Sequence, residues 1–335
     1  MINILVIFYF LISLIAILLS IYIYNKFKIL DIPNKRKIHS APVPLSGGFA
    51  AFITISVFVF YSFFLVESFS SIIFFFYFVT ISLFLLGLSD DLYQINAQKR
   101  LIATTVIYLF FFTQDIFSEN DKFFLINFIS LEISNKTLEL NFIQSLILTI
   151  FCILSFQNAM NMIDGLNGLS SMILIIINLF LIYYSKNSFL IEINKLLIIF
   201  LIVYFAFNFK SKLFFGESGI YLTSFVTSLM IIFAYKRNFI LLDQVILLLL
   251  IPGLDMIRVS LFRLKNSLKV SKPDKNHIHH LISKKYSVEG CLLVIFLMIV
   301  PLNILAIIYP SFTLFFIFLN ILIYLKIVNH FSINS

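Results

Sequence analysis

Uncharged apolar runs recur along the whole chain, and at about 17 to 25 residues each is long enough to cross a hydrocarbon core of roughly 30 Å as a helix. This excludes an ordinary soluble fold. Of 335 residues, 61% are hydrophobic and only 12% charged, whereas a soluble domain carries roughly a quarter charged residues. Mean hydropathy is +1.05. The expected fold is an all-α integral membrane protein, a polytopic helical bundle of about eleven transmembrane helices forming one domain, 1–335. The spans fall near 2–24, 47–66, 71–88, 101–117, 140–157, 169–185, 196–209, 219–235, 239–256, 289–309 and 311–325. The first run lacks a basic flank and a small-residue cleavage site, so it is expected to be a retained helix. Between the fourth and fifth spans, 118–139 reads as a small hairpin on the outer surface. Cys152 and Cys291 sit inside apolar runs and read as small hydrophobes.

Basic residues set the expected orientation. The connections after odd-numbered spans, with the C-terminal tail, hold 18 of the 24 Lys and Arg residues. Those connections are therefore expected to be cytoplasmic, with the N-terminus outside and the C-terminus inside. They also carry acids near the membrane boundary: Asp31, Asp90 with Asp91, Asp164, Glu217, and Asp255 with Asp274. Acids at membrane depth are expensive and face a cavity or a partner. Five sets on one side point to one site.

The first connection places Lys35, Arg36, Lys37 and His39 beside Pro42, Pro44, Gly47 and Gly48. The cations alone fit an electrostatic anchor, but such an anchor would not need the rigid turn that these prolines and glycines specify. In the second, Asp90 and Asp91 end a helix, where the macrodipole disfavours negative charge. Lys99 and Arg100 are candidates to compensate, as is Mg²⁺ bridging phosphates. The third connection reads QNAMNMIDGLNGLS, with Asn158, Asn161 and Asp164 along one helical face and Asn167 beyond. A polar helix seam would account for these, but Gly165 and Gly168 break the helix where broken helices line water-filled cavities. In the fourth, Glu217 lies between glycines. The fifth carries Asp255 and Arg258 at i,i+3, then Arg263, Asp274, His277, His279 and His280. His277, His280 and Asp274 have the makings of a zinc site, but the surrounding cations favour a bound anion.

Together these motifs, in order from residue 31 to 281, resemble the bacterial polyprenyl-phosphate N-acetylhexosamine-1-phosphate transferases, the WecA/MraY-like superfamily. The helix count and the HIHH of 277–280 look like its WecA-type branch. The resemblance implies transfer of a sugar 1-phosphate from a UDP-sugar to undecaprenyl phosphate in the bacterial inner membrane, with Mg²⁺, or Mn²⁺ in its place. It implies metal binding by Asn161 and Glu217, and catalytic positions at Asp90, Asp91, Asp164, His277 and His280. Lys99, Asn167, Arg263, His279, Lys35, Arg36 and His39 would bind substrate. Two positions depart from the family pattern. Glu217 and Ile220 stand where GDxGS has Asp and Ser, and Asn167 stands where many relatives have Asp. Membrane lipid is the expected surroundings, a homodimer is admitted, and no nucleic-acid partner is expected. Competing readings are the phospho-N-acetylmuramoyl-pentapeptide transferase of peptidoglycan synthesis, an ion-coupled transporter, and a relative that only binds carrier lipid. The transporter would need midplane acids and inverted repeats, and neither is evident.

Overall fold

The computed structural model describes residues 4–33, 41–65, 71–114, 124–131, 136–269 and 275–333. Lys35, Arg36, Lys37, His39 and Asp274 lie outside the described residues. The chain is helical nearly throughout, as a backbone that must satisfy its own polar groups in lipid requires. The helices are α1 (Ile4–Lys26), α2 (Gly47–Leu65), α3 (Ser71–Tyr93), α4 (Ala97–Gln114), α5 (Phe142–Ile163), α6 (Leu169–Tyr184), α7 (Ser188–Phe209), α8 (Gly216–Lys236), α9 (Leu242–Leu248), α10 (Leu250–Lys265), α11 (Ile278–Ile282), α12 (Val288–Ile308) and α13 (Thr313–Ile333).

Among the described residues every expected span falls on helix, but the count of eleven is not reproduced by length and composition. Among the described residues seven helices are long and apolar enough to cross a membrane, or eight if α9 and α10 form one bent span. Of the rest, α6 is apolar but only 16 residues long, and α2 is apolar through its 19 residues. α4 opens on Gln98, Lys99 and Arg100, which dilute its apolar character. α9 and α10 meet at 66°. Pro252 accounts for the bend: it has no N–H for the carbonyl four residues back, and its ring clashes with that carbonyl.

At the centre stands α8, buried from Ser218 to Tyr235 and packed by α2, α3, α5 and α6. Its sequence explains this position. Ser218, Gly219, Thr223, Ser224, Thr227 and Ser228 keep the helix narrow, so neighbours approach closely. A Cβ on Gly48 of α2 or Gly87 of α3 would collide with Ser218. Two helices, α2 and α3, therefore converge on the start of α8.

The expected hairpin is present: β3 (Phe128–Leu131) pairs antiparallel with β4 (Lys136–Glu139). A second two-residue ribbon, β1 (Leu30–Asp31) with β2 (Val43–Pro44), pins the first connection to the bundle. Gly47 and Gly48 then donate backbone N–H groups to Phe214 and Phe215, at 2.9 and 3.0 Å.

Candidate active site

All five odd-numbered connections reach one cavity of about 570 Å³ at one end of the bundle. Asp31 comes from the first, Asp90, Asp91 and Arg100 from the second, and Asn161, Asp164 and Asn167 from the third. Glu217 and His280 come from the fourth and fifth.

Asp90 and Asp91 lie side by side at the end of α3 but face different partners. Arg100 is the cation that compensates Asp90, its Nη1 lying 2.6 Å from Asp90 Oδ2. The same nitrogen lies 2.7 Å from Glu217 Oε1. Lys99, its neighbour, is exposed and does not line the cavity. Of the two cations expected to compensate, Arg100 is therefore the one that faces Asp90, because successive side chains on a helix point about 100° apart.

Asp91 turns instead to the start of α8. That helix has no side-chain cap of its own. Asp91 Oδ1 accepts from the Glu217 backbone N–H at 2.7 Å, and Oδ2 accepts from the Ser218 hydroxyl at 2.9 Å. A carboxylate here satisfies otherwise orphaned donors and meets the positive end of the helix dipole. The approach needs Gly216, which sits at φ +67° and whose Cβ would fall 2.6 Å from Asp91 Oδ2.

Glu217 completes the bridge between the connections: its Oε2 accepts from Asn161 Nδ2 at 2.9 Å. The two expected metal-binding residues are therefore adjacent. Asp164 caps α5 and accepts from the Ser170 hydroxyl at 2.5 Å. Burial pushes its carboxyl up to about 6, the Ser170 bond opposing and the Glu217 charge adding to the rise. Asn167 donates to Ser211 Oγ at 2.7 Å.

Asn208, absent from the expected set, also lines the cavity. Its Oδ1 accepts from Gly168 N at 2.6 Å and its Nδ2 donates to Leu213 O at 2.9 Å, so it clamps the third connection to the fourth. An amide inside the apolar run YFAFNFK was its sequence signal.

The histidines divide. His280 lines the cavity. His279 is fully buried, and a Cβ on Gly165 would meet its Nε2 at 2.7 Å. Burial, reinforced by the neighbouring His280, holds its pKa well below the ordinary imidazole value. His277 and Arg263 are buried beside the cavity rather than lining it. Both ring nitrogens of His277 are engaged, by Asp255 and Arg263, so it retains no lone pair for zinc. Among the described residues no three His, Cys, Asp or Glu side chains are grouped to cage a metal.

Fold and site together define a polytopic membrane protein with one polar, multi-connection cavity at the rim of its bundle. The glycosyl transferase family 4 profile matches residues 72–235. A Bacillus subtilis protein named "probable undecaprenyl-phosphate N-acetylglucosaminyl 1-phosphate transferase" is 28% identical over 95% of this chain and 90% of its own length. The undecaprenyl-phosphate alpha-N-acetylglucosaminyl 1-phosphate transferase of Thermotoga maritima is 26% identical, over 89% of this chain and 87% of its own. The protein of that name from Salmonella typhi is 24% identical, over 82% and 74%. The chain thus resembles glycosyl transferase family 4 and its undecaprenyl-phosphate N-acetylglucosaminyl 1-phosphate transferases.

Proposed function

We propose that this protein transfers N-acetylhexosamine 1-phosphate, most simply GlcNAc 1-phosphate, from a UDP-sugar to undecaprenyl phosphate. The products are undecaprenyl-diphospho-sugar and UMP, the first step of a cell-envelope glycan. The observation that carries this reading is the meeting of Asp90, Asp91, Asn161, Asp164, Glu217 and His280 around one cavity. The names of the relatives support the same donor sugar and acceptor.

The donor set fits Mg²⁺. The cavity gathers carboxylates and amides against one lining guanidinium, Arg100, and hard oxygen donors with excess negative charge suit a hard cation. Asn161 and Glu217 would hold it, with Asp91 close by, and Mn²⁺ would substitute. When bound, the ion neutralises the pyrophosphate and the charge that develops on the leaving phosphate.

The protein's own groups do the positioning. Asp91 fixes the Glu217 backbone, while Arg100 and Asn161 fix its carboxylate. A phosphate oxygen of the carrier attacks the donor's β-phosphorus in line, and the β-phosphorus to bridging-oxygen bond breaks with its electron pair leaving on UMP. A phosphomonoester loses its second proton near pH ~6, so no general base is required. The excess of Lys and Arg on the odd-numbered connections supports placing the cavity on the cytoplasmic side of the inner membrane, with the N-terminus outside.

Membranes containing the protein, given radiolabelled UDP-GlcNAc and undecaprenyl phosphate, should release UMP and label one lipid of the mass of undecaprenyl-diphospho-GlcNAc. EDTA should stop the reaction and Mg²⁺ restore it. Transfer that proceeds without a divalent metal would overturn this scheme. Labelling from UDP-muramoyl-pentapeptide instead would favour the peptidoglycan reading, which HIHH weighs against.

A further inference from the structure

Beside the cavity lies a second polar cluster whose members come from three separated stretches of chain. Asp255 on α10 is almost wholly buried and accepts four hydrogen bonds. Its Oδ1 receives Arg258 Nη2 at 2.8 Å, the Ile278 backbone N–H at 3.0 Å and the Tyr324 hydroxyl at 2.9 Å. Its Oδ2 lies 2.8 Å from His277 Nδ1. Arg258 in turn donates through Nε to the Tyr324 oxygen at 2.7 Å and through Nη2 to the Asn276 carbonyl at 2.5 Å. Tyr324 belongs to α13, so that helix reaches back to the segment that carries the histidines.

The geometry also fixes where the His277 proton resides. On its far side, Nε2 lies 3.4 Å from Arg263 Nη2. A guanidinium only donates, so Nε2 must accept. A proton on Nε2 would set one N–H against another. The ring proton is therefore on Nδ1, where Asp255 accepts it.

We propose that Asp255 and Tyr324 are positioning residues, holding His277 as a neutral imidazole protonated on Nδ1. In that state His277 aims the Arg263 guanidinium and is neither a proton donor nor a metal ligand. Through the Ile278 N–H, the same carboxylate anchors α11, the helix that brings His280 to the cavity. The link to turnover rests on the transferase reading; the proton's location does not.

The test uses full-length protein in lipid nanodiscs with ¹⁵N-labelled histidine. The chain has only five histidines, so imidazole nitrogens are resolvable by long-range ¹H–¹⁵N correlation. The His277 signal is identified by its loss in His277→Gln. At pH 8, His277 should show a protonated Nδ1 and a bare Nε2. Asp255→Asn should shift it toward the opposite tautomer, because the new amide can present an N–H to Nδ1. Tyr324→Phe removes one oxygen and keeps the ring, so it serves if Asp255→Asn does not fold. It should broaden or shift the His277 signals and lower kcat for UMP release about tenfold. KM for the UDP-sugar should change less than about twofold, as for a group acting away from ground-state binding. A wild-type His277 protonated on Nε2, or a tautomer unmoved by both variants, overturns the proposal. So does a Tyr324→Phe enzyme whose kcat is unchanged. If the tautomer is as stated but the wild type releases no UMP, the transferase reading fails and the positioning of His277 stands.

Discussion

The two polar regions at the rim of this bundle differ in how completely they satisfy themselves. Around Asp255, the carboxylate is paired with Arg258 and filled by four donors. Around Glu217, Asp90, Asp91, Asp164 and Asp31 face a cavity with Arg100 as its lining guanidinium. A self-satisfied cluster holds a shape. A cluster with surplus negative charge and open space is completed only by something that binds. Burial follows the same division: the Asp255 side chain is 1% exposed and that of Glu217 is 23% exposed.

The contrast is broken most severely at the open cluster. Glu217→Gln and Asp91→Asn should each cut UMP release about a thousandfold, the scale of a lost transition-state contact. Glu217→Gln should leave the melting temperature in thermal scans unchanged, since it lowers the surplus of negative charge, whereas Asp91→Asn also weakens the cap of α8 and should cost about 0.5–2 kcal/mol. The closed cluster should respond the other way. Asp255→Ala strands Arg258 and should cost roughly 3–5 kcal/mol of stability, read as a lowered melting temperature in detergent.

Smaller effects sharpen the comparison along α8. Gly48→Ala or Gly87→Ala drives a methyl into Ser218 and should cost about 1–3 kcal/mol. Gly253, with nothing within 4 Å of a Cβ, is the control. Gly253→Ala should be neutral or stabilise its helix by up to about 1 kcal/mol.

The mildest effects are those of pH on stability without substrate. His279 is held neutral, so below pH about 6.5 the unfolded chain gains a proton the folded chain refuses, and stability falls. Asp164 acts oppositely. Its carboxyl is raised from 3.8 to about 6, so the folded chain holds the extra proton in that window and stability falls as pH rises through it. Melting curves of His279→Gln and Asp164→Asn across pH 4–8 should each lose one of these slopes; two unchanged profiles would count against both assignments.

Much of this arrangement was legible in the sequence because the bilayer imposes a strong pattern. Apolar run length located the helices, and acids at span ends located the cavity. Asp255 and Arg258 could be paired from i,i+3 spacing alone. What spacing cannot supply is direction and distance in space. Lys99 and Arg100 are equivalent cations in one dimension, and only the start of α4 decides which faces Asp90. Three histidines in HIHH look alike, yet one lines the cavity, one is buried, and one turns to a carboxylate 22 residues earlier. Tyr324, 69 residues from Asp255, gave no local signal. Length and composition identify only seven or eight spans among the described residues, in part because α6 is short and Lys99 and Arg100 dilute α4.

Asp91 has a consequence for how this chain can vary. It belongs to the second connection, yet it serves as the missing cap of a helix that starts 125 residues later. A substitution there deletes a negative charge and loosens the first turn of α8 in the same stroke. Drift at Asp91 must be answered at Gly216, Glu217 or Ser218, so the two stretches are inherited as one unit although a third of the chain separates them.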